Sequence, residues 1–122
     1  MYVSVDGDDI GKKLTNIIYT CDDKAVTEFS GAVEAFFDNV KKEIEQQNGR
    51  VVFCAGDSIA FFIDDESIED IIPLLQSESF NVTIGCGRTL QQAHWALNIG
   101  KSLGKNRVMN FENVIEIIGD KY

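Results

Sequence analysis

The stretch that decides the fold is Arg50–Ile63, which reads RVVFCAGDSIAFFI. Two runs of β-forming residues, 50–54 and 59–63, are joined by the connector Ala-Gly-Asp-Ser. A connector this short, containing a glycine, predicts an antiparallel hairpin, because parallel strands need a crossover of about a dozen residues or more. The hairpin therefore argues against a doubly wound parallel sheet.

The segments on either side of the hairpin complete the order of elements. A β-type run at 2–6 precedes a helical stretch from Ile10 and a long helix with apolar residues at helical spacing from 26 to 44. After the hairpin come a short helix interrupted by Pro73, a strand at 80–86, a helix with apolar positions from 90 to 103 and a strand at 108–111. Residues 114–118 fit a helix or a strand. This order predicts an α+β fold, a ferredoxin-like palm whose RRM-like antiparallel sheet is backed by helices, with an appended helix and strand.

Composition limits the class of protein and its partners. The chain has 122 residues, of which 44% are hydrophobic and one is proline, so we expect a single domain over residues 1–122. Lys and Arg number 11 against 20 Asp and Glu, and the net charge of −9 disfavours direct binding to nucleic acid or an anionic membrane. Without a signal-peptide pattern or an apolar run of the ~18–20 residues that a membrane helix needs, the sequence predicts a cytoplasmic protein. Cys54 and Cys86 lie in apolar runs and are expected to be buried.

Two carboxylates are expected to meet at one edge of the predicted sheet. In the ferredoxin-like arrangement the first strand lies beside the hairpin, so Asp6 at its end approaches Asp57 at the hairpin tip. Neighbouring carboxylates repel unless a cation lies between them, and Mg²⁺ prefers one or two carboxylates with waters and substrate phosphates. The alternative is that both acids only make turns. A calcium loop counted from Asp6 fails, because its twelfth position is Ile17 rather than Glu.

A basic segment closes the last long helix. Lys101–Arg107, KSLGKNR, holds three of the 11 basic residues of this acidic chain. Cations at a helix C-terminus are favoured by the helix dipole, so the segment serves either helix stability or phosphate binding. Gly11 and the backbone amides after Asp8 offer a complementary phosphate cradle at a helix start.

Together these segments resemble the palm-type nucleotide cyclases, which include GGDEF diguanylate cyclases and the polymerase domain of type III CRISPR effectors. Val5–Gly11, VDGDDIG, is similar to the first metal motif of that family. Ala55–Ser58, AGDS, resembles a reduced form of its Gly-Gly-Asp-acid turn. Thr83–Gly85 followed by Lys101–Arg107 is similar to its closing segment. As a lone palm, the chain most resembles mCpol, the minimal CRISPR polymerase family.

The resemblance implies an activity and a set of site residues. The implied activity is synthesis of a cyclic adenine dinucleotide, cyclic di-AMP from ATP, which a downstream cyclic-nucleotide-binding effector reads in bacterial anti-phage defence. Asp6 and Asp57 would bind Mg²⁺ or Mn²⁺, with the carbonyl of Gly7 as a further ligand. The phosphate contacts would be the backbone amides of Asp9, Ile10 and Gly11 and the side chains of Lys101, Lys105 and Arg107. The resemblance leaves the role of Asp8 open.

Three positions depart from the family pattern. Ser58 stands where many relatives carry a second acid, so a second metal would be held less firmly. Ala55 replaces the first glycine of the turn. Leu14 falls where diguanylate cyclases use Asn to read guanine, which argues against guanine recognition by that route.

One palm holds one triphosphate, so the implied product predicts a two-fold homodimer with sites assembled at the interface.

One alternative function is that of a hydrolase similar to archaeal GTP cyclohydrolase III, and another is that of an inactive palm that binds nucleotide as a sensor. An RNA-recognition module would need a basic surface and exposed aromatics, whereas Phe53, Phe61 and Phe62 are expected in the core. His94 is expected to be a packed or solvent-facing helical residue without an acid–base role.

Overall fold

The computed structural model describes residues 1–114. The strands are β1 (Tyr2–Gly7), β2 (Arg50–Ala55), β3 (Ser58–Phe62), β4 (Val82–Gly87) and β5 (Val108–Asn110). The α-helices are α1 (Ile10–Tyr19), α2 (Asp23–Gln46), α3 (Ile68–Ile71) and α4 (Leu90–Ser102), and 3₁₀ turns at Asp65–Ser67 and Ile72–Leu74 flank α3. Residues 111–114, the last described ones, are helical as well. The undecided segment at 114–118 lies, apart from its first residue, outside the described residues.

The strands form one sheet in the order β2-β3-β1-β4-β5. The central strand β1 is antiparallel to both β3 and β4, and β2 and β3 form the antiparallel hairpin predicted from sequence. The last strand, β5, pairs with β4 in parallel, because α4 forms the crossover between them. The predicted palm fold with an appended helix and strand is confirmed.

The larger core lies between one face of the sheet and the helices α2 and α3. Alternate strand residues point to this face, since successive side chains of a strand point to opposite sides. Its fully buried members are Val3, Val5, Phe37, Ile44, Ile59, Phe61, Ile63, Ile71 and Leu75. The helix α2 begins at the cap residue Asp22, whose carboxylate accepts a hydrogen bond from the Ala25 amide at 3.0 Å. None of the described helices is long and apolar enough to cross a membrane.

The helix α4 packs on the opposite face with its backbone against β4. A Cβ atom added at Gly85 would lie 2.2 Å from the Ala93 carbonyl oxygen and 2.4 Å from the Leu97 nitrogen. Only a residue without a side chain therefore permits this approach. The consequence for the site is that Lys101, in the last turn of α4, reaches the carboxyl end of β1.

Three expectations about buried residues are wrong. Phe62, on β3, is only half-buried and packs against Tyr2 outside the core. The other two fall on β2. Cys54 is exposed, and Phe53 is 46% exposed, because β2 is an edge strand with a bulge at 51–53.

Cys86 and Phe61, on interior strands, are buried as expected. Burial raises the pKa of the Cys86 thiol to about 11, so this cysteine stays protonated at neutral pH.

The close contact at Gly85 gives a stability prediction. We expect Gly85→Ala to lower the free energy of unfolding by about 3 kcal/mol or more, because the new methyl group meets the backbone of α4. Gly31→Ala is the matched control: apart from the backbone of its own helix, no described atom lies within 4 Å of its added Cβ, and alanine in this helical position stabilises by roughly 0.5–1 kcal/mol. Urea denaturation measures both. Equal stability of the two variants would contradict the packing of α4.

Candidate active site

Asp6 lies at the carboxyl end of β1, between two neighbouring strands. The register pairs it with Ser58 on β3 and with Thr83 on β4. The Ser58 hydroxyl donates a hydrogen bond to Asp6 Oδ1 at 2.5 Å, and Lys101 Nζ lies 2.9 Å from Asp6 Oδ2. The Asp6 side chain is 28% exposed, so solvent reaches the carboxylate.

The hairpin turn brings Asp57 beside the residue that follows Asp6. Gly56 has a φ of 59°, the left-handed conformation that such a turn requires. The Asp57 carbonyl accepts a hydrogen bond from the Gly7 amide at 2.8 Å, and a Cβ on Gly7 would lie 3.5 Å from the Asp57 Cβ. The backbones of the two acids, which the sequence separates widely, therefore lie at one edge of the sheet.

Lys101 joins the first acidic motif to α4. Its Nζ contacts Asp6 at 2.9 Å, the Gly7 carbonyl oxygen at 3.2 Å and Asp8 Oδ1 at 3.2 Å. Burial opposes the charged form of the ammonium, but the hydrogen bonds to Asp6 and Asp8 outweigh it, so the pKa of Lys101 is raised above its ordinary value. Lys101 therefore carries its charge at neutral pH.

Asp8 is the buried acid of the motif, a role that sequence reasoning missed. Its Oδ1 accepts a hydrogen bond from the Thr83 hydroxyl at 2.7 Å, and its Oδ2 accepts one from the Asn106 amide at 2.8 Å. Asn106 and the preceding Lys105 have φ angles of 48° and 63°, so the loop after α4 turns its backbone toward this carboxylate. Thr83, a polar residue in an apolar strand, was the sequence signal for such a partner.

The start of α1 carries the third acid. Asp9 is the N-cap with a φ of 56°, and within residues 1–114 its side chain caps no amide of the helix. Lys105 Nζ lies 2.5 Å from Asp9 Oδ1, and this hydrogen bond lowers the pKa of the Asp9 carboxyl. The first turn of α1, at Ile10 and Gly11, contains no acidic residue, so the positive end of the helix dipole is available to an anion.

The remaining basic candidate and the histidine contact other groups. Arg107 is exposed and its Nε donates to the Lys105 carbonyl at 3.1 Å, whereas Lys101 and Lys105 pair with carboxylates. His94 lies on the exposed side of α4, and its ring nitrogen is 3.2 Å from the side-chain amide of Asn98. The structure thus brings Lys101 and Lys105 to the acids and leaves Arg107 at the surface of the same loop.

A cleft opens beside the hairpin turn. It has a volume of about 590 Å³ and lies between α1, α2 and the turn. Its lining residues are Ile10, Gly11, Leu14, Phe29, Ser30, Val33, Glu34, Phe37, Asp38, Cys54, Gly56 and Asp57. The cleft therefore joins an apolar wall to the start of α1 and to one of the two candidate metal-binding acids.

The donor set at the sheet edge fits a divalent cation that is completed by a substrate. Within residues 1–114, no three His, Cys, Asp or Glu side chains are grouped so as to hold a metal ion by themselves. The Asp6 carboxylate and the Gly7 carbonyl nevertheless converge on one cation, the ammonium of Lys101. Mg²⁺ usually takes one or two carboxylates and fills its octahedron with waters and phosphate oxygens, so this smaller set suits it.

The fold and this edge define a palm domain of the nucleotide cyclase and polymerase type. A model of the minimal CRISPR polymerase domain matches residues 2–111, and the chain belongs to this family, mCpol. No curated protein is significantly similar to the chain in sequence.

Solved structures of GGDEF-domain proteins share the fold. The GGDEF domain of DgcB from Caulobacter crescentus, solved in complex with c-di-GMP, is 15% identical at a TM-score of 0.64, covering 91% of this chain and 77% of that one. The GGDEF domain of TpbB (YfiN) from Pseudomonas aeruginosa is 15% identical to this chain at a TM-score of 0.61. The match covers 94% of this chain and 80% of that one. An EAL/GGDEF domain protein from M. capsulatus is 16% identical to this chain at a TM-score of 0.58. The match covers 90% of this chain and 83% of that one. At such identities the likeness concerns the fold alone.

The buried position of Asp8 gives a second stability prediction. We expect Asp8→Asn to lower the free energy of unfolding by about 2–3 kcal/mol, because the new amide group turns its N–H donors either toward the Asn106 amide or toward the Lys101 ammonium, and both of these are donors. Asp9→Asn is the matched control: the Asp9 side chain is 53% exposed, and the change should stay within about 0.5 kcal/mol. Thermal and urea unfolding measure both. Equal losses of unfolding free energy in the two variants would show that the hydrogen bonds of buried Asp8 stabilise the fold no more than those of its exposed neighbour.

Proposed function

We propose that the protein is a metal-dependent nucleotidyltransferase of the bacterial cytoplasm that makes a cyclic dinucleotide, cyclic di-AMP from ATP, for anti-phage defence. The observation that carries this proposal is the junction of three features at one edge of the sheet. These are the acids Asp6 and Asp57, whose backbones lie side by side at the end of β1 and in the hairpin turn, the uncapped start of α1, and the cleft between α1 and α2. A triphosphate needs a cation and an anion cradle, and a base needs an apolar cleft, so the three together suit a nucleoside triphosphate.

Each residue of this edge has a part in the proposed reaction. Asp6, Asp57 and the Gly7 carbonyl would hold Mg²⁺ or Mn²⁺, which would offset the charge on the α-phosphate and the leaving pyrophosphate. The amides of Asp9, Ile10 and Gly11 bind the terminal phosphates at the helix start. Lys101 and Lys105 neutralise the triphosphate. A ribose hydroxyl of a second nucleotide forms a bond to the α-phosphorus as the bond to pyrophosphate breaks, and the hydroxyl proton passes to water.

The wall of the cleft supports adenine as the base. Leu14 lies in this wall and provides no hydrogen bond to the edge of a guanine. The aromatic rings of Phe29 and Phe37 provide apolar surface for either purine, so the choice of adenine depends on Leu14. The proposed substrate is therefore ATP.

The proposed product also requires a second copy of the chain. One palm holds one triphosphate, and each nucleotide must both attack and be attacked to close a ring. Two palms facing each other across a two-fold axis satisfy this requirement with identical sites. A downstream effector that binds the cyclic nucleotide would then read the signal.

A palm that binds nucleotide without turnover is the second candidate. The observation in its favour is the hydrogen bond from Ser58 to Asp6, which engages one oxygen of the acid that the reaction requires. Calorimetry distinguishes the two candidates, because a sensor would bind ATP with Mg²⁺ and release no pyrophosphate.

The product assay tests the proposal. The purified protein, incubated with ATP and Mg²⁺ and separately with GTP, is expected to give cyclic di-AMP by mass spectrometry and nuclease mapping. Asp57→Asn should abolish the product and keep the fold, because its backbone carbonyl still accepts the Gly7 amide. Asp70→Asn, an exposed change on α3, is the matched control and should retain activity. Full activity of Asp57→Asn would exclude the metal assignment, and a hydrolysed GTP product would favour the hydrolase alternative.

The wall of the cleft gives a specificity prediction. Leu14→Asn introduces a donor and an acceptor where diguanylate cyclases read guanine. We expect the ratio of kcat/KM for ATP to that for GTP to fall by about tenfold, since the apolar wall is lost and guanine gains a partner. Steady-state pyrophosphate release with each nucleotide measures the ratio. An unchanged ratio would show that the base does not enter this cleft.

A further inference from the structure

Lys101 contacts the same oxygens that the proposed function assigns to a metal ion. Its Nζ lies 2.9 Å from Asp6 Oδ2 and 3.2 Å from the Gly7 carbonyl oxygen. The side chain is only 22% exposed, so this is a partly desolvated contact rather than a loose surface pair. The shared oxygens make the lysine and a divalent cation competitors.

The two cations cannot occupy these oxygens together. Mg²⁺ binds oxygen at about 2.0–2.1 Å and would stand within a few ångströms of the ammonium, where like charges repel strongly. Metal binding therefore requires Lys101 to leave Asp6 and Gly7. A metal ion that arrives alone must break this pair and leave a partly buried ammonium with fewer partners.

We infer that Lys101 is a built-in counter-cation that excludes free metal from Asp6 and Gly7 and releases them to metal that arrives with a nucleotide. This inference rests on the proposed function. A triphosphate supplies the anionic partner that Lys101 otherwise loses, so nucleotide lowers the cost of metal binding. Because such coupling is reciprocal, metal must strengthen nucleotide binding by the same factor.

The surroundings of Lys101 allow this movement. Asp8 is a partner on its far side, and the hydrogen bonds from Thr83 and Asn106 hold that carboxylate in place whatever the lysine does. The flexible four-carbon stem of a lysine can therefore swing away from Asp6 while keeping Asp8 within reach. Lys105 is paired with Asp9 at the start of α1 and provides a second cation beside the same phosphate cradle.

Manganese affinity without nucleotide tests the inference. Electron paramagnetic resonance measures binding of Mn²⁺ to the full chain, alone and with an ATP analogue whose α,β-bridging oxygen is a methylene group. We expect Lys101→Met to bind Mn²⁺ alone about tenfold more tightly than the unaltered protein, because no charged hydrogen bond must be broken. The ratio of the Mn²⁺ affinity with the analogue to the affinity without it should be correspondingly smaller in this variant than in the unaltered protein.

Three further variants control the experiment. Lys101→Arg keeps the charge and should retain weak binding of Mn²⁺ alone. Lys42→Met removes one positive charge from an exposed position on α2 and should change nothing. Lys101→Gln retains a donor toward Asp8 without the charge, so it repeats the test if Lys101→Met fails to fold.

The outcomes separate this inference from the proposed function. If both uncharged variants bind Mn²⁺ alone no more tightly than the unaltered protein, while the analogue still recruits Mn²⁺, Lys101 is a structural ion pair and the inference is overturned. If the unaltered protein binds no Mn²⁺ even with the analogue, the metal assignment of the proposed function fails instead, and the inference falls with it.

Discussion

The arrangement of the site depends on the buried carboxylate of Asp8. It accepts hydrogen bonds from the Thr83 hydroxyl, from the Asn106 amide and from Lys101, and so ties the end of β1 to β4, to α4 and to the loop before β5. A buried charge is tolerated only when it is paired and hydrogen-bonded. Because this one is satisfied from three elements at once, it fixes the crossover that carries Lys101 and Lys105.

Three acids within four residues have three different environments. Asp6, at the end of β1, faces α4 and is partly exposed. One of its carboxylate oxygens accepts a hydrogen bond from Ser58 and the other contacts Lys101. Asp8 is buried, and Asp9 is exposed at the start of α1 beside Lys105. The change of direction after β1 produces this division, because the chain leaves the sheet at Gly7 and enters a helix three residues later. One acid is thereby structural, and the other two face the candidate site.

The sequence predicted the features that follow from topology. The short connector of the hairpin implied an antiparallel pair, and the order of elements then required Asp6 and Asp57 to approach each other. It could not distinguish Asp8 from its neighbours, since the burial of a carboxylate depends on distant partners, one of them the backbone amide of Asn106. It also misjudged Phe53 and Cys54, because an apolar edge strand has the same composition as an interior one.

The position of the bound metal tests most directly whether Asp6 and Asp57 are its ligands. Crystals grown with Mn²⁺ and a non-reactive ATP analogue, measured where manganese scatters anomalously, give a difference map that distinguishes the ion from water. We expect a peak about 2.1 Å from oxygens of Asp6, Asp57 and the Gly7 carbonyl, with phosphate oxygens completing the shell. A peak that touches the nucleotide but neither carboxylate, with Lys101 still on Asp6, would contradict this expectation.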